Sequence, residues 1–159
     1  MRKDIFIDNN IASKFSNPQD KEYIKLTEWL MFYDQNDSLN KDNYAHLVVS
    51  KKLLVEYSRS SLNAISDTSI PSIVDKLLRE DRLIIVSNQQ IKDFQTIHYS
   101  KAVLRKLRSN NEDREHLPLV LLSDRKFALS YDDNFIYDLL NFAGFIVVVK
   151  KRPEEIQFK

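Results

Sequence analysis

The sequence contains no cysteine and only one glycine, Gly144. Without cysteine the chain has no disulfide bond, no thiol nucleophile and no cysteine-based zinc site. Loops that cradle phosphates in nucleotide-binding proteins need several glycines, so P-loop and dinucleotide-binding sites are excluded. No apolar run approaches the ~18 residues of a membrane-spanning helix, and the N-terminus lacks the apolar stretch of a secretory signal. We therefore expect a cytoplasmic protein with no membrane partner.

An excess of charge of one sign is also missing. The 24 basic and 23 acidic residues nearly cancel, so the net charge does not indicate whether nucleic acid is a partner. The chain has 159 residues, of which 43% are hydrophobic, and this is enough for one core. We predict a single domain spanning residues 1–159.

Short apolar runs typical of buried strands alternate with segments of helical period. The predicted strands lie at 4–7, 46–49, 83–86, 127–130 and 145–149. The predicted helices lie at 11–33 with a turn at Pro18, from 53 into the serine-rich stretch 60–69, and at 71–79, 91–107 and 133–143. We expect a polar loop at 34–43 and a polar break at 109–112.

The alternation of strands and helices predicts an α/β fold with a parallel sheet sandwiched by helices. Two segments have more than one interpretation. Residues 83–86 also fit a connection between two helices. Residues 117–122 fit either a strand or a helix that carries Pro118 in its first turns.

Four acidic residues stand beside strand-like runs or near the start of helix-like ones: Asp8, Glu56, Asp113 and Asp132. Such positions can converge at one edge of a parallel sheet, where clustered carboxylates repel one another unless they hold a divalent metal. Carboxylate oxygens suit Mg²⁺ or Mn²⁺, and such an ion activates water for attack on a phosphodiester. Asp133 duplicates the fourth position and is a further candidate ligand.

Five segments, in order along the chain, resemble the PIN-domain family: 4–10, 48–56, 113–117, 127–132 and 147–155. They carry a strand ending in Asp-x-Asn, a strand-Ser-helix-Glu segment, Asp-x-x-His-Leu, a strand followed by Ser-x-Asp, and a last strand with a Pro-x-Glu ending. Each motif is short, and their order carries the resemblance. It implies a PIN-like fold and a metal-dependent endoribonuclease, with RNA as its substrate. It also implies that the four acids are catalytic metal ligands, and that the chain is a toxin with an antitoxin partner in one setting.

Other side chains are candidates for supporting roles. Asn10, Ser50 and Ser130 are positioned to orient an acid or a water. Cations are needed beside the acids if a polyanion is to enter, and Lys14, Arg59 and Arg114 flank the predicted elements. We expect His116 to be packed or hydrogen-bonded rather than a metal ligand.

Several alternatives remain open at this level. Asp8, Asp113 and Asp132 are also favourable helix N-caps. If 119–122 is a strand, the acid that follows it is Asp124, and the third and fourth acids, Asp113 and Asp132, both need reassignment. A structure-specific DNA nuclease would use the same metal chemistry, and a PIN-like module that binds RNA or a protein would need no catalysis. The sequence also leaves open one or two metals and a homodimer.

Overall fold

The computed structural model describes residues 1–16, 18–60 and 66–159. In this part of the chain, five strands form one sheet: β1 (Asp4–Ile7), β2 (His46–Val49), β3 (Leu83–Ile85), β4 (Phe127–Leu129) and β5 (Val148–Lys150). Their order in the sheet is β3-β2-β1-β4-β5, and every neighbouring pair is parallel. The predicted α/β class with a parallel sheet is confirmed.

The central strands lie inside the protein. All four residues of β1 and all four of β2 are buried. Because successive strand residues point to opposite faces of a sheet, this burial requires helices on both faces. The register aligns Ile5 with Leu47 and Ile7 with Leu129, so β1, β2 and β4 end at the same edge.

The helices connect the strands and cover the sheet. The described residues form α1 (Asn9–Ala12), α2 (Lys21–Met31), α3 (Lys51–Ser60), α4 (Ile70–Arg79), α5 (Asn88–His98), α6 (Lys101–Lys106), α7 (Asn111–Arg114), α8 (Leu117–Leu121) and α9 (Asp133–Leu140), with 3₁₀ helices at Gln35–Asn43 and Pro153–Glu155. The two open segments are therefore resolved, since 83–85 is a strand and 117–121 is a helix with Pro118 in its first turn. The predicted end of α3 in the serine-rich stretch falls partly on 61–65, which lie outside the described residues.

The long helix predicted at 91–107 is wrong, because the chain breaks between α5 and α6. The Ser100 hydroxyl accepts a hydrogen bond from the Val103 amide and so starts a new helix. The Tyr99 hydroxyl donates to the backbone carbonyl of Arg114, which ties this break to α7. Local capping and a distant contact therefore override the continuous helical period.

Other boundaries also differ from the predictions. The expected loop at 34–43 is largely 3₁₀ helix, capped by the Asp34 carboxylate, which accepts from the Asn36 amide. The break expected at 109–112 already contains the start of α7, because the Asn110 side chain caps that helix. Helix α9 ends at Leu140 rather than at 143, and β5 begins at Val148 rather than at 145. Gly144, with a φ of 89°, lies in the connecting turn.

Candidate functional site

The strand order reverses between β1 and β4, and we call the space beyond the carboxyl ends of these two strands the crevice. The chain leaves β1 toward β2 on one side, whereas β4 continues toward β5 on the other side. In open parallel sheets, ligands bind outside the carboxyl ends of the strands where the order reverses in this way. Asp8 directly follows β1, and Asp132 follows β4 by three residues. The Asp8 amide donates to the Leu129 carbonyl, which extends the pairing of the two strands into the crevice.

Asp8 is held by two polar side chains. The Ser130 hydroxyl donates to Asp8 Oδ2 over 2.6 Å, and Asn10 Nδ2 donates to the same oxygen over 3.3 Å. Burial raises the pKa of the Asp8 carboxyl above its ordinary value, although the Ser130 hydrogen bond and the charge of His116 oppose this shift. Asn10 also accepts a hydrogen bond from the Tyr131 amide, so it links the ends of β1 and β4.

Asp113 lies next to Asp132 and near Asp8. Burial, followed by the negative charges of Asp132 and Asp8, raises the pKa of the Asp113 carboxyl to about 6, and a hydrogen bond with the Asp132 side chain adds to this shift. The charged form of Asp113 is therefore less favourable here than in an isolated aspartate. Asn110 sets the position of Asp113 because its side-chain oxygen accepts from the Asp113 amide at 2.8 Å.

Asp132 has two roles in the local structure. Its carboxylate caps α9 by accepting from the amides of Asn134 at 2.9 Å and Phe135 at 3.1 Å. The capping interpretation is thus confirmed for Asp132, while its charge acts on Asp113 at the same time. Asp8 precedes α1 without a side-chain capping bond, and α7 is capped by Asn110 rather than by Asp113.

Glu56 reaches the crevice from α3. Its carboxylate is hydrogen-bonded to His116, which is 2% exposed, and its negative charge contributes to the raised pKa of Asp8. The next residue, Tyr57, is buried and donates its hydroxyl to the Ile7 carbonyl, immediately before Asp8. The prediction that His116 is hydrogen-bonded is confirmed.

The alternative acid, Asp124, lies at the other edge of the sheet. Its amide donates to the side chain of Asp4 at 2.9 Å, and Asp4 begins β1. Four strand residues rise by roughly 13 Å, so Asp124 is well separated from Asp8. The structure therefore brings Asp113, and not Asp124, to the crevice. Asp133 has an 82% exposed side chain that pairs with Lys151 at 2.6 Å.

Of the other residues predicted to support the site, one lies at the crevice, one is exposed, and two make contacts that stabilise the local fold. Lys14 Nζ lies 4.5 Å from the centre of the Tyr131 ring, at the rim of the crevice. Arg59 is exposed near the end of α3. The Arg114 guanidinium donates to the Ser109 carbonyl at 2.9 Å, so it braces the chain before α7. Ser50 caps α3 by accepting from the Leu53 amide.

Sequence reasoning missed Asp138, which holds the segment that leads to Asp113. Its buried carboxylate accepts hydrogen bonds from the amides of Arg108 and Ser109, both at 2.8 Å. Asp138 lies on α9, the helix that Asp132 caps, while residues 108–109 lead into α7 and Asp113. One helix thus connects two of the acids. The local sequence offers no signal for this contact, because its partners are about thirty residues away.

The acids are neighbours, but they do not surround one point. Within residues 1–16, 18–60 and 66–159, no group of three or more histidine, aspartate or glutamate side chains is gathered as a metal site. The donor chemistry nevertheless fits Mg²⁺ or Mn²⁺, because carboxylate oxygens are hard ligands and two of the carboxyl groups have raised pKa values.

Comparisons of this chain with models of protein families, with curated proteins and with solved structures gave no match. No helix formed by the described residues is long and apolar enough to cross a membrane.

Proposed function

We propose that this chain is a metal-dependent endoribonuclease of the PIN-domain type that hydrolyses phosphodiester bonds in the crevice beyond β1 and β4. The observation that carries this proposal is the convergence of acids from separate segments: Asp132 and Asp8 help to raise the pKa of Asp113 to about 6, and Glu56 contributes to the raised pKa of Asp8. Structural carboxylates are usually paired with cations, so crowded acids in a crevice indicate a functional site.

Asp8, Glu56, Asp113 and Asp132 would hold Mg²⁺ or Mn²⁺. When bound, such an ion neutralises phosphate charge and makes water a better nucleophile. The donors observed on Asp8 and Glu56 orient these two acids, which is the role that groups around metal ligands commonly have. Side-chain rotations would be needed to gather the carboxylates, since they do not yet surround one point.

The residues of the chain supply the remaining chemistry. An acid of this group that does not bind the ion directly would accept the proton from the attacking water. Lys14, beside the Tyr131 ring, supplies positive charge for the phosphate backbone at the rim. A toxin restrained by an antitoxin protein is one setting for such an activity.

A second candidate function is a non-catalytic PIN-like module that binds RNA or a protein. The observation in its favour is that the described residues contain no gathered set of three or more ligands. Such a module would bind its partner without divalent metal and would leave the partner intact.

The decisive experiment incubates the purified chain with end-labelled RNA and with DNA of the same sequence, in Mn²⁺ and in EDTA. We expect Mn²⁺-dependent cleavage of RNA that Asp8→Asn abolishes without loss of folding by circular dichroism. The matched control is Asp75→Asn, because Asp75 is exposed on α4. Cleavage of DNA alone would indicate the DNA nuclease. Intact RNA with wild type, or equal cleavage by Asp8→Asn, would contradict the proposed site.

A further inference from the structure

A polar cleft of about 290 Å³ lies beside the acid crevice at the same edge of the sheet. It is lined by Ser50, Lys52, Asn88, Ile91, Lys92 and Gln95, and Glu115 closes one side. Its size is close to the lower limit of small-ligand pockets, roughly 300 Å³. The cleft is distinct from the four acids, none of which lines it.

The cleft is connected to the acids through α3 and α7. Lys52 precedes Glu56 by four residues, so both lie on the same face of α3 within one turn, about 5.4 Å along the axis. Glu115 directly precedes His116, the hydrogen-bond partner of Glu56. The cleft and the acids are therefore held by the same elements, α3 and the segment that follows α7.

The electrostatics of the cleft favour an anion. Helices α3 and α5 both begin at its wall, and neither carries an acidic residue in its first turn. The positive ends of the two helix dipoles therefore add to the charges of Lys52 and Lys92. Glu115 pairs with Lys52 at 3.1 Å and offsets one of the two positive charges, so the lining retains a net charge of +1.

The remaining lining suits a nucleobase. The side-chain amides of Asn88 and Gln95 each offer donors and an acceptor, which can match the edge of a base. Ile91, between them on α5, contributes an apolar surface, although it is only 9% exposed. A ligand with an anionic group, a polar edge and a flat apolar face would use all of these features.

We propose that this cleft binds the nucleotide next to the scissile phosphodiester of single-stranded RNA, with its phosphate at Lys92 and its base against Asn88 and Gln95. The assignment rests on the proposed function, because it places the cleft on the path of the RNA substrate. Gln95 then contributes to base preference, and Lys92 contributes affinity that is independent of sequence.

The test measures the binding of a fluorescein-labelled, 12-nucleotide single-stranded RNA of mixed sequence by anisotropy. The background is Asp8→Asn, which prevents cleavage during the measurement. At about 50 mM salt we expect Lys92→Gln to weaken binding by roughly five- to tenfold and to reduce the slope of log affinity against log salt by about 0.7. We expect Gln95→Leu to change the ranking of four homopolymer RNAs while leaving the salt slope unchanged. The matched control, Lys159→Gln, lies with Lys3 at the opposite edge of the sheet and should bind as the background does.

The outcomes separate the two proposals. If wild type cleaves RNA but Lys92→Gln and Gln95→Leu bind as the control does, the cleft assignment is wrong and the nuclease stands. If wild type does not cleave but these variants change binding as expected, the cleft binds nucleotides and the catalytic proposal is wrong. If neither the RNA nor any 5′-mononucleotide perturbs the NMR signals of the Asn88 and Gln95 side chains, the cleft proposal is overturned regardless of cleavage.

Discussion

Nε2 of His116 lies 3.0 Å and 3.1 Å from the two carboxylate oxygens of Glu56. An ionised carboxylate can only accept hydrogen bonds, so Nε2 must carry the proton and donate it. The other ring nitrogen, Nδ1, is buried without a hydrogen-bond partner in the described structure. The contact joins α3 to the segment between α7 and α8, and it fixes the orientation of Glu56 at the crevice.

Replacing this histidine tests whether that orientation matters for activity. His116→Phe keeps a ring of similar size beside Phe6, whose ring centre is 6.1 Å away, but it removes the donor to Glu56. We expect kcat/KM for RNA cleavage to fall by about 10- to 100-fold, whereas the free energy of unfolding falls by no more than about 2 kcal/mol. His98→Phe is the control, because His98 packs on Phe94 in a separate aromatic cluster. Equal activity in the two variants would contradict a role of His116 in orienting Glu56 for cleavage.

The two roles of Asp132 can be separated by substitution. Asp132→Ser retains a side-chain oxygen that can accept from the Asn134 amide, whereas Asp132→Ala retains none. We expect the free energy of unfolding, measured with urea, to be about 1 kcal/mol lower for the alanine variant than for the serine variant. Both variants should lose RNA cleavage, because both lack the carboxylate. A serine variant that still cleaves would mean that Asp132 is only a helix cap.

The raised pKa of Asp113 predicts a dependence of stability on pH. Its folded-state pKa of about 6 exceeds the ordinary value of 3.8, so the folded protein binds more protons than the unfolded chain between these values. The associated stability is fully present below pH 3.8 and is lost as the pH rises through about 6. In EDTA, Asp113→Asn should therefore be more stable than wild type at pH 7.5 by about 1 kcal/mol, after allowance for solvent screening. The difference should vanish near pH 3.5. An equal difference at both pH values would contradict the electrostatic origin.

Binding of a divalent metal should offset the repulsion between ionised carboxylates that lowers the stability of the fold at neutral pH. Mn²⁺ competes with protons for Asp8 and Asp113, whose pKa values are both raised. We expect Mn²⁺ to increase the melting temperature more at pH 7.5 than at pH 4.5, and a concentration 100 times the Kd contributes about 2.7 kcal/mol. EDTA should abolish the shift, and Asp8→Asn should reduce it. A shift of the same size at both pH values would argue against carboxylate ligands.

Asp138 should act on the site through the chain that leads to Asp113. Asp138→Asn replaces one acceptor oxygen by an NH₂ group that faces a backbone N–H of Arg108 or Ser109. We expect a loss of about 1–3 kcal/mol in unfolding free energy, together with a lower kcat/KM under conditions where the variant is fully folded. Asp75→Asn, at an exposed position of α4, serves as the control. Reduced stability with unchanged kcat/KM would show that Asp138 has no influence on Asp113.

Local patterns predicted some parts of this protein well. The apolar runs at 4–7 and 46–49 are strands, as predicted. Local patterns were less reliable where a distant contact determines the end of a helix. The break after α5 depends in part on the contact between Tyr99 and Arg114, which a helical period does not contain.

The acid positions were visible in the sequence, but their grouping was not. Asp124 was an alternative to Asp113 only if 119–122 formed a strand. The structure forms a helix at 117–121, and the Asp124 amide donates to Asp4 at the far edge of the sheet. The partner of Glu56 was likewise not predicted, although His116 was expected to be hydrogen-bonded.

By itself, the sequence determined the α/β class, the parallel sheet and the chemical character of the candidate site, because strand and helix periods and side-chain types are local properties of the chain. Tertiary structure alone decided that β1 lies between β2 and β4, that Asp113 joins Asp8 and Asp132, and that His116 holds Glu56. These relationships connect residues far apart in the chain. They arise from the packing of whole helices and strands. Burial and hydrogen bonding determine this packing together, and no short segment of the sequence contains it.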